Sequence, residues 1–325
     1  MKFKGIDIIN IKNTGHTTID WILGNYCNFK CSYCFGDLNT GTFRVPKINS
    51  VIENNIKHLV SELHSIGKKK ISFTLAGGEP TMYHDFNQLT TLLQSFGPVA
   101  IITNGARTLD WWKNNHKTLD KVSISYHVEF ADLSHTLDLI ELLLNSSDLF
   151  VSVHVMMHDK MFEKSIEAAE TFSQKFQNRD NVKIELKLLR KSDGSVVDYT
   201  SEQLEKINSF KFLSGIKTTP HHGHISTYLL EDNTTHRLSP RDIKDLSGSF
   251  KGYDCFAPQE FLQINQYGNI GEMSCGQSYN TTCNIYSEDF LEKFKIPKNS
   301  VVCEKDICGC LGLLYSSKNK TTNKV

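Results

Sequence analysis

Three cysteines, Cys27, Cys31 and Cys34, stand in a C-x3-C-x2-C run. Thiolates are the usual protein ligands of iron–sulfur clusters, and a cubane cluster takes four of them. Three from one loop leave one iron open, which suggests that the open iron binds something that reacts. Two other chemistries compete. A structural zinc site takes four protein ligands, and no fourth Cys or His lies near this run. Disulfides are disfavoured because the cysteines total nine, an odd number, and the segment from Met1 to Asp7 lacks the apolar core of a secretory signal. A reducing, cytoplasmic setting is expected, where clustered cysteines bind metal more often than they cross-link.

A second concentration of thiols lies at Cys255, Cys275, Cys283, Cys303, Cys308 and Cys310. Between the first two of these, the stretch from Phe261 to Ser274 alternates apolar run, Asn/Gly turn and second run, which predicts a β-hairpin. Gly309 permits a tight bend that would aim Cys308 and Cys310 at one metal centre. A structural zinc site is the alternative for this region. His221, His222 and His224 read as an exposed histidine-rich loop.

The elements that must position these residues follow from periodicity. Short β-like runs at Ile19–Leu23, Lys70–Leu75, Val99–Thr103, Lys121–Tyr126, Leu149–Met156 and Val182–Leu189 alternate with helical patterns, which predicts successive βα units and a parallel sheet. The first helical pattern, Ile52, Ile56, Leu59, Val60 and Leu63, makes one apolar face. Others run over Phe86–Phe96, Ser134–Leu144 and Phe162–Phe176. Parallel α/β sheets place ligands at the carboxyl ends of their strands, so the polar residues there are site candidates. The cysteine loop follows the first strand, Gly77, Gly78, Glu79 and Pro80 follow the second, and Thr103, Asn104 and Gly105 end the third. Ser123 and Ser125 share one face of the fourth. His127, His154 and His158 sit at or near strand ends and are candidates for substrate contact or proton transfer. Asp85, Trp111 and Trp112 read as capping and packing residues.

Composition bounds the partners. Basic and acidic residues balance at 36 each in 325 residues, so no overall field draws the chain to nucleic acid or anionic lipid. No apolar run is long enough to cross a bilayer. The length suits one large domain plus a smaller one. The tail from Ser316 to Val325, rich in Lys, Asn and Thr, is expected to be frayed and disordered.

The cysteine run, with aromatic Tyr33 before its last cysteine, resembles the signature of the radical S-adenosylmethionine (radical SAM) superfamily. The Gly77-Gly78-Glu79-Pro80 and Thr103-Asn104-Gly105 elements are similar to that family's GGEP and TNG elements. The resemblance spans roughly residues 15 to 190 and implies an α/β fold, a partial (β/α)6 TIM-like barrel followed by a small β-hairpin/helix iron–sulfur domain. It implies a [4Fe-4S] cluster on Cys27, Cys31 and Cys34 with S-adenosylmethionine on the open iron. The cofactor would be contacted by Tyr33, Gly77, Gly78, Glu79, Pro80, Thr103, Asn104, Ser123 and Ser125. The glycines would let backbone approach the ligand.

The C-terminal cysteines resemble the twitch and SPASM auxiliary-cluster domains. Carried over, Cys275, Cys303, Cys308 and Cys310 would hold one auxiliary [4Fe-4S] cluster, with Cys255 a possible alternative ligand and Cys283 left over. The chain departs from a full SPASM domain in its cysteine count and lacks a C-x2-C-x5-C run, which disfavours two auxiliary clusters. The implied partition is a barrel over 1–193, a bridge over 194–252, an auxiliary-cluster domain over 253–315 and a tail over 316–325.

The implied function is reductive cleavage of S-adenosylmethionine and hydrogen abstraction from a peptide or a small molecule such as a sugar or alcohol. An electron donor such as flavodoxin or ferredoxin would be needed. Only a short segment precedes the first strand, which leaves no room there for a module gripping a leader peptide. A non-enzymatic iron–sulfur or zinc protein with a redox or scaffolding role is the alternative.

Overall fold

Along the strands of the first two-thirds of the chain, apolar residues recur at every second position, and that period decides which side of the sheet is buried. In the computed structural model, which describes residues 3–7, 15–34, 38–146, 149–191, 195–210, 226–230, 235–238, 250–272, 278–305 and 316–320, all six predicted strands form. After β1 (Phe3–Asp7) they are β2 (His16–Ile22), β3 (Lys70–Ala76), β4 (Val99–Thr103), β5 (Lys121–Tyr126), β6 (Phe150–Met157) and β7 (Val182–Leu188). β2 to β7 pair in sequence order, every pair parallel, as helical crossovers require.

One face of this sheet carries Ile19, Trp21, Phe73, Leu75, Ile101, Ile124, Val153 and their neighbours, all in the main core. Helices α1 (Ser50–Ser65), α2 (Phe86–Gln94), α3 (Leu109–Asn115), α4 (Leu133–Ser146) and α5 (Phe162–Lys175) join the same core. In α1 the Asn49 side chain caps the start by accepting the Ile52 N–H, and the buried residues include Ile52, Ile56, Leu59, Val60 and Leu63, the predicted stripe. The opposite face of the sheet is polar. Register aligns Asp20 with Thr74, Ser123 with Ser152, and Ser125 with His154 and Glu185. A parallel sheet covered by apolar layers on both sides would read as continuous apolar runs, so this face is not a packed core.

The predicted hairpin over Phe261–Ser274 does not form as such. Its turn is present, with the Gly268 N–H donating to the Asn265 carbonyl at 2.9 Å. Its two strands go to different sheets. The stretch Phe261–Ile264 pairs in parallel with β2 and becomes the seventh strand of the main sheet, whereas Asn269–Glu272 pairs antiparallel with Ser278–Asn284. The physical reason is burial: Phe261, Leu262 and Ile264 are all buried, which an open edge of a large sheet provides and an isolated two-stranded ribbon does not.

The expectation of a frayed tail is likewise corrected for Ser316–Lys320. Lys318–Lys320 is a strand in a second, antiparallel sheet, lying between Tyr253–Cys255 and β1. That sheet also takes Ser226–Leu230, Thr235–Leu238 and Val301–Val302, so segments expected in separate parts of the chain share hydrogen bonds. Backbone pairing and charge outweigh the polar composition here. The Ser317 N–H donates to the buried Glu260 carboxylate at 2.6 Å, Lys68 pairs with Glu260 at 3.3 Å, and the Lys318 ammonium lies 5.5 Å over the Phe250 ring.

Replacing Glu260 by Ala strips Lys68 and the Ser317 N–H of their shared buried acceptor. A loss of about 3 kcal/mol is expected from breaking such a pair, read as a lower urea midpoint at unchanged slope.

Candidate active site

The loop carrying the cysteines leaves β2 and is fastened before its first thiol. The Leu23 N–H donates to the Ala76 carbonyl at 2.7 Å, the Gly78 N–H to Gly24 at 3.2 Å and the Glu79 N–H to Tyr26 at 2.8 Å. A Cβ on Gly78 would stand 2.2 Å from the Tyr26 carbonyl oxygen, and Gly77 holds φ +129°, open to glycine and few others. The glycines therefore let the end of β3 meet the backbone of the cysteine loop. Fully buried Asn25, which the sequence reading passed over, pins the other side. Its amide donates to Thr40 and Thr42 at 3.1 and 2.8 Å, and its carbonyl accepts the Phe43 N–H at 2.7 Å.

Cys31 is buried, and Cys27 and Cys34 are half-buried; all three are free thiols. The Cys31 thiol is pushed up to about 12 by burial, then by the Glu129 carboxylate and by Cys27 and Cys34. Burial also raises Cys27. Thiols that disfavour one another's charge in this way ionise as a set beside a cationic centre. Cys27 already receives donors, the Phe29 N–H at 3.4 Å and the Asn104 amide at 3.7 Å. Three free thiols on one loop are a donor set that fits a thiolate-held iron–sulfur cluster.

Glu79 is buried. Its buried carboxylate accepts the Thr81 N–H and hydroxyl at 3.1 and 2.6 Å, the Thr103 hydroxyl at 2.6 Å and the Asn104 N–H at 2.6 Å. Burial raises its pKa, against the pull of these donors. Glu79 and Thr103 thus staple the end of β3 to the end of β4. Asn104, so placed, reaches the Asn28 side chain at 2.9 Å as well as the Cys27 sulfur. Pro80 is buried at the start of the turn after Glu79. Ser123 is buried and Ser125 half-buried, both on the polar face as their alternation predicts.

Two of the three candidate histidines gather at Tyr33. Its hydroxyl meets His127 Nδ1 at 2.8 Å, the His127 ring stacks on it at 5.8 Å, and His158 presents an edge at 5.5 Å. Burial lowers His127 to about 4, so it is neutral at pH 7. Glu129, absent from the sequence reading, accepts the Ser32 N–H at 2.9 Å and lies 3.4 Å from His158 Nε2. Partial burial pushes its pKa up, but the Ser32 bonds and His158 outweigh that and leave it lowered. His154 lies apart on β6, 3.3 Å from Glu185. A cavity of about 620 Å³ opens beside the loop, between the segments following β4 and β5 and bounded by Phe29, Asn104, Phe130 and His135.

Of the C-terminal cysteines, Cys275, Cys308 and Cys310 lie outside the described residues. Cys255 and Cys303 are buried on neighbouring strands. Register sets Cys255 opposite Val301, and the Cys303 N–H donates to the Tyr253 carbonyl at 2.8 Å, so the two side chains share one face two residues out of step. Cys283 sits instead in the main hydrophobic core with Ile285 and Phe290.

The model of the radical SAM superfamily matches residues 21–194, slightly more than half of the chain. The chain belongs to the radical SAM superfamily. It is therefore an enzyme, and the family's cofactors are a [4Fe-4S] cluster and S-adenosylmethionine. Its curated relatives include a GTP 3',8-cyclase of Actinobacillus succinogenes, 35% identical over an alignment of 112 residues that covers 30% of this chain and 32% of that protein. An Fe-coproporphyrin III synthase of Methanosarcina barkeri is 30% identical over 106 residues, 33% of this chain and 25% of that one. The matches thus span about a third or less of these relatives' length. Among solved structures, SuiB of Streptococcus suis aligns over 86% of this chain and 65% of its own at 16% identity and a TM-score of 0.49. Histidine-tagged anSMEcpe with bound AdoMet aligns over 78% and 70% at 16% identity and a TM-score of 0.48. Among the described residues no helix is long and apolar enough to cross a membrane.

Gly78→Ala forces the Tyr26 carbonyl away and should leave the radical SAM protein with fewer irons per chain after reconstitution although every cysteine is intact. Iron analysis beside a melting curve checks this. Asp20, buried on the polar face with the Gln263 amide at 3.3 Å, has its carboxyl pushed up to about 6 by burial, against that hydrogen bond. The unfolded chain ionises first as pH rises, so stability is full below the unfolded value and falls as pH climbs through about 6. The loss is about 3 kcal/mol. Asp20→Asn should equal the parent at pH 4 and exceed it at pH 7, measured by denaturant unfolding at both.

Proposed function

We propose that Cys27, Cys31 and Cys34 hold the [4Fe-4S] cluster of a hydrogen-abstracting radical SAM enzyme whose substrate lies against the polar face of the parallel sheet. The observation that carries this reading is the set of three free thiols within eight residues of one loop at the carboxyl end of β2, beside a sheet face that is polar instead of packed. When bound, the cluster and S-adenosylmethionine supply reductive cleavage to methionine and a 5′-deoxyadenosyl radical, which takes a hydrogen atom from the substrate.

The chain's own residues prepare that site. The Phe29 N–H and the Asn104 amide donate to the Cys27 sulfur, which favours its thiolate. Glu129 holds the Ser32 N–H, and the Tyr33 ring is fixed between His127 and His158. Asn104, Pro80, Ser123 and Ser125 stand at or near strand ends around the loop, where they can contact S-adenosylmethionine. Gly77, Gly78, Glu79 and Thr103 act through the position of that loop and of Asn104.

A second cluster in the C-terminal region is part of the same reading. Cys275, Cys303, Cys308 and Cys310 would hold it, with Cys255, on the same face as Cys303, the alternative ligand. Cys283, buried in the apolar core, is a packing residue. A cluster ligated fully by cysteine suits transfer of an electron from the substrate radical. The substrate is a peptide or a small molecule, and flavodoxin or ferredoxin would supply the first electron.

Anaerobic reconstitution tests both clusters. About eight irons per chain are expected for two of them. Cys31→Ala should fall to about four and make no 5′-deoxyadenosine. Continued 5′-deoxyadenosine production by that variant would refute the assignment of the cysteine loop.

A further inference from the structure

The polar face is not uniform. On β2 to β5 it carries mostly hydroxyls, but across β5 to β7 it becomes charged. Register places Ser123 beside Ser152 and Lys183, and Ser125 beside His154 and Glu185. Lys121, Lys183, Glu185 and Lys187, two or four residues apart on their strands, therefore project from the same side. Glu185 is the hub. Its carboxylate pairs with Lys183, with Lys187 at 3.0 Å and with His154 Nε2 at 3.3 Å.

Charge does not balance on this wall. Three ammonium groups face one carboxylate, and burial lowers the pKa of His154 so that it adds no charge at neutral pH. Lys121, its ammonium 5.7 Å over the Phe150 ring, is disfavoured by burial and then by Lys183 and Lys187. Glu185 is the one carboxylate among the described residues that acts on it. Two positive charges are left over in a half-buried setting, where they repel one another. The heads are not sealed away, since the Lys183 and Lys187 side chains keep 34% and 44% of their exposure. Because Lys183 and Lys187 each contact one of the two oxygens of a single carboxylate, their charges converge on a spot the size of one anionic group. An extended acidic peptide would need them spread along a track.

We propose that Lys121, Lys183 and Lys187, organised by Glu185, form a receptor for the compact, multiply charged anionic group of a small-molecule substrate, a phosphoryl chain or a polycarboxylate. This rests on the radical SAM reading for its placement of the substrate on the polar face. It narrows the substrate class: neutral sugars and alcohols lack the charge that this wall awaits.

Equilibrium binding to the reconstituted holoenzyme tests it, with tripolyphosphate and tricarballylate as separate probes for the two sources of charge. Saturable binding of one of them is expected, weakened about tenfold or more by Lys183→Met and by Lys187→Met, a change of about 1.4 kcal/mol or more. Lys183→Arg should retain it. Lys164→Met, on an outer helix, should not alter it. Glu185→Gln keeps a carbonyl oxygen that the lysines can still donate to but removes the competing charge, and should tighten binding, a gain that a misfolded variant cannot mimic. The proposal falls if neither probe saturates, if the methionine variants bind as well as the parent, or if only a polyglutamate peptide binds. Cleavage of S-adenosylmethionine by the parent enzyme is scored separately. Its absence would sink the radical SAM reading, whereas failure of anion binding with cleavage intact would sink only this inference.

Discussion

No side chain fits between residue 78 and the Tyr26 carbonyl, and most of the site's geometry descends from that contact. Two consecutive backbone donors, at Gly78 and Glu79, close onto the loop that presents the thiols. The carboxylate of the second then turns inward and gathers the end of the next strand through Thr103 and Asn104. Asn104 in turn reaches the Cys27 sulfur. One run of backbone and side-chain bonds thus joins two strand ends to a sulfur atom, and each link is buried or half-buried, where a hydrogen bond left unmade is costly.

The sheet's two faces divide the labour. One is covered by helices and carries the stability of the fold. The other carries hydroxyls, amides and charges that contribute little packing, and Asp20 shows what this costs: a carboxyl with one amide donor in a buried setting stays ionised only with difficulty. Residues that weaken a fold while facing an open, polar surface are the usual mark of a site kept for its chemistry.

The parallel core was legible in the sequence because its signals are local: an alternation of two in the strands, a stripe in the helices and the motif glycines. Partner choice is not local. Phe261–Ile264 followed by an Asn/Gly turn reads as half of a hairpin, and only the open edge of β2 makes it a seventh core strand. The Lys- and Asn-rich tail reads as solvated until Glu260 and Phe250 are seen to receive it. Motif spacing showed that Gly77 and Gly78 tolerate no side chain but not what approaches them. Glu129 and Asn25 carry no pattern that marks them. Asp20 does, as a lone acid inside an apolar strand, a signal that alternation alone could have raised.

The first and the last strands described, Phe3–Asp7 and Lys318–Lys320, are hydrogen-bonded neighbours. During synthesis the parallel core has its first six strands once Leu188 emerges, whereas the antiparallel sheet must wait for residues more than a hundred positions later. Until then β1 has an unpaired edge, open to strand addition from other chains. The cysteine loop belongs to the early part and Cys255 and Cys303 to the late one, so the two groups of thiols reach their folded surroundings at different stages of synthesis.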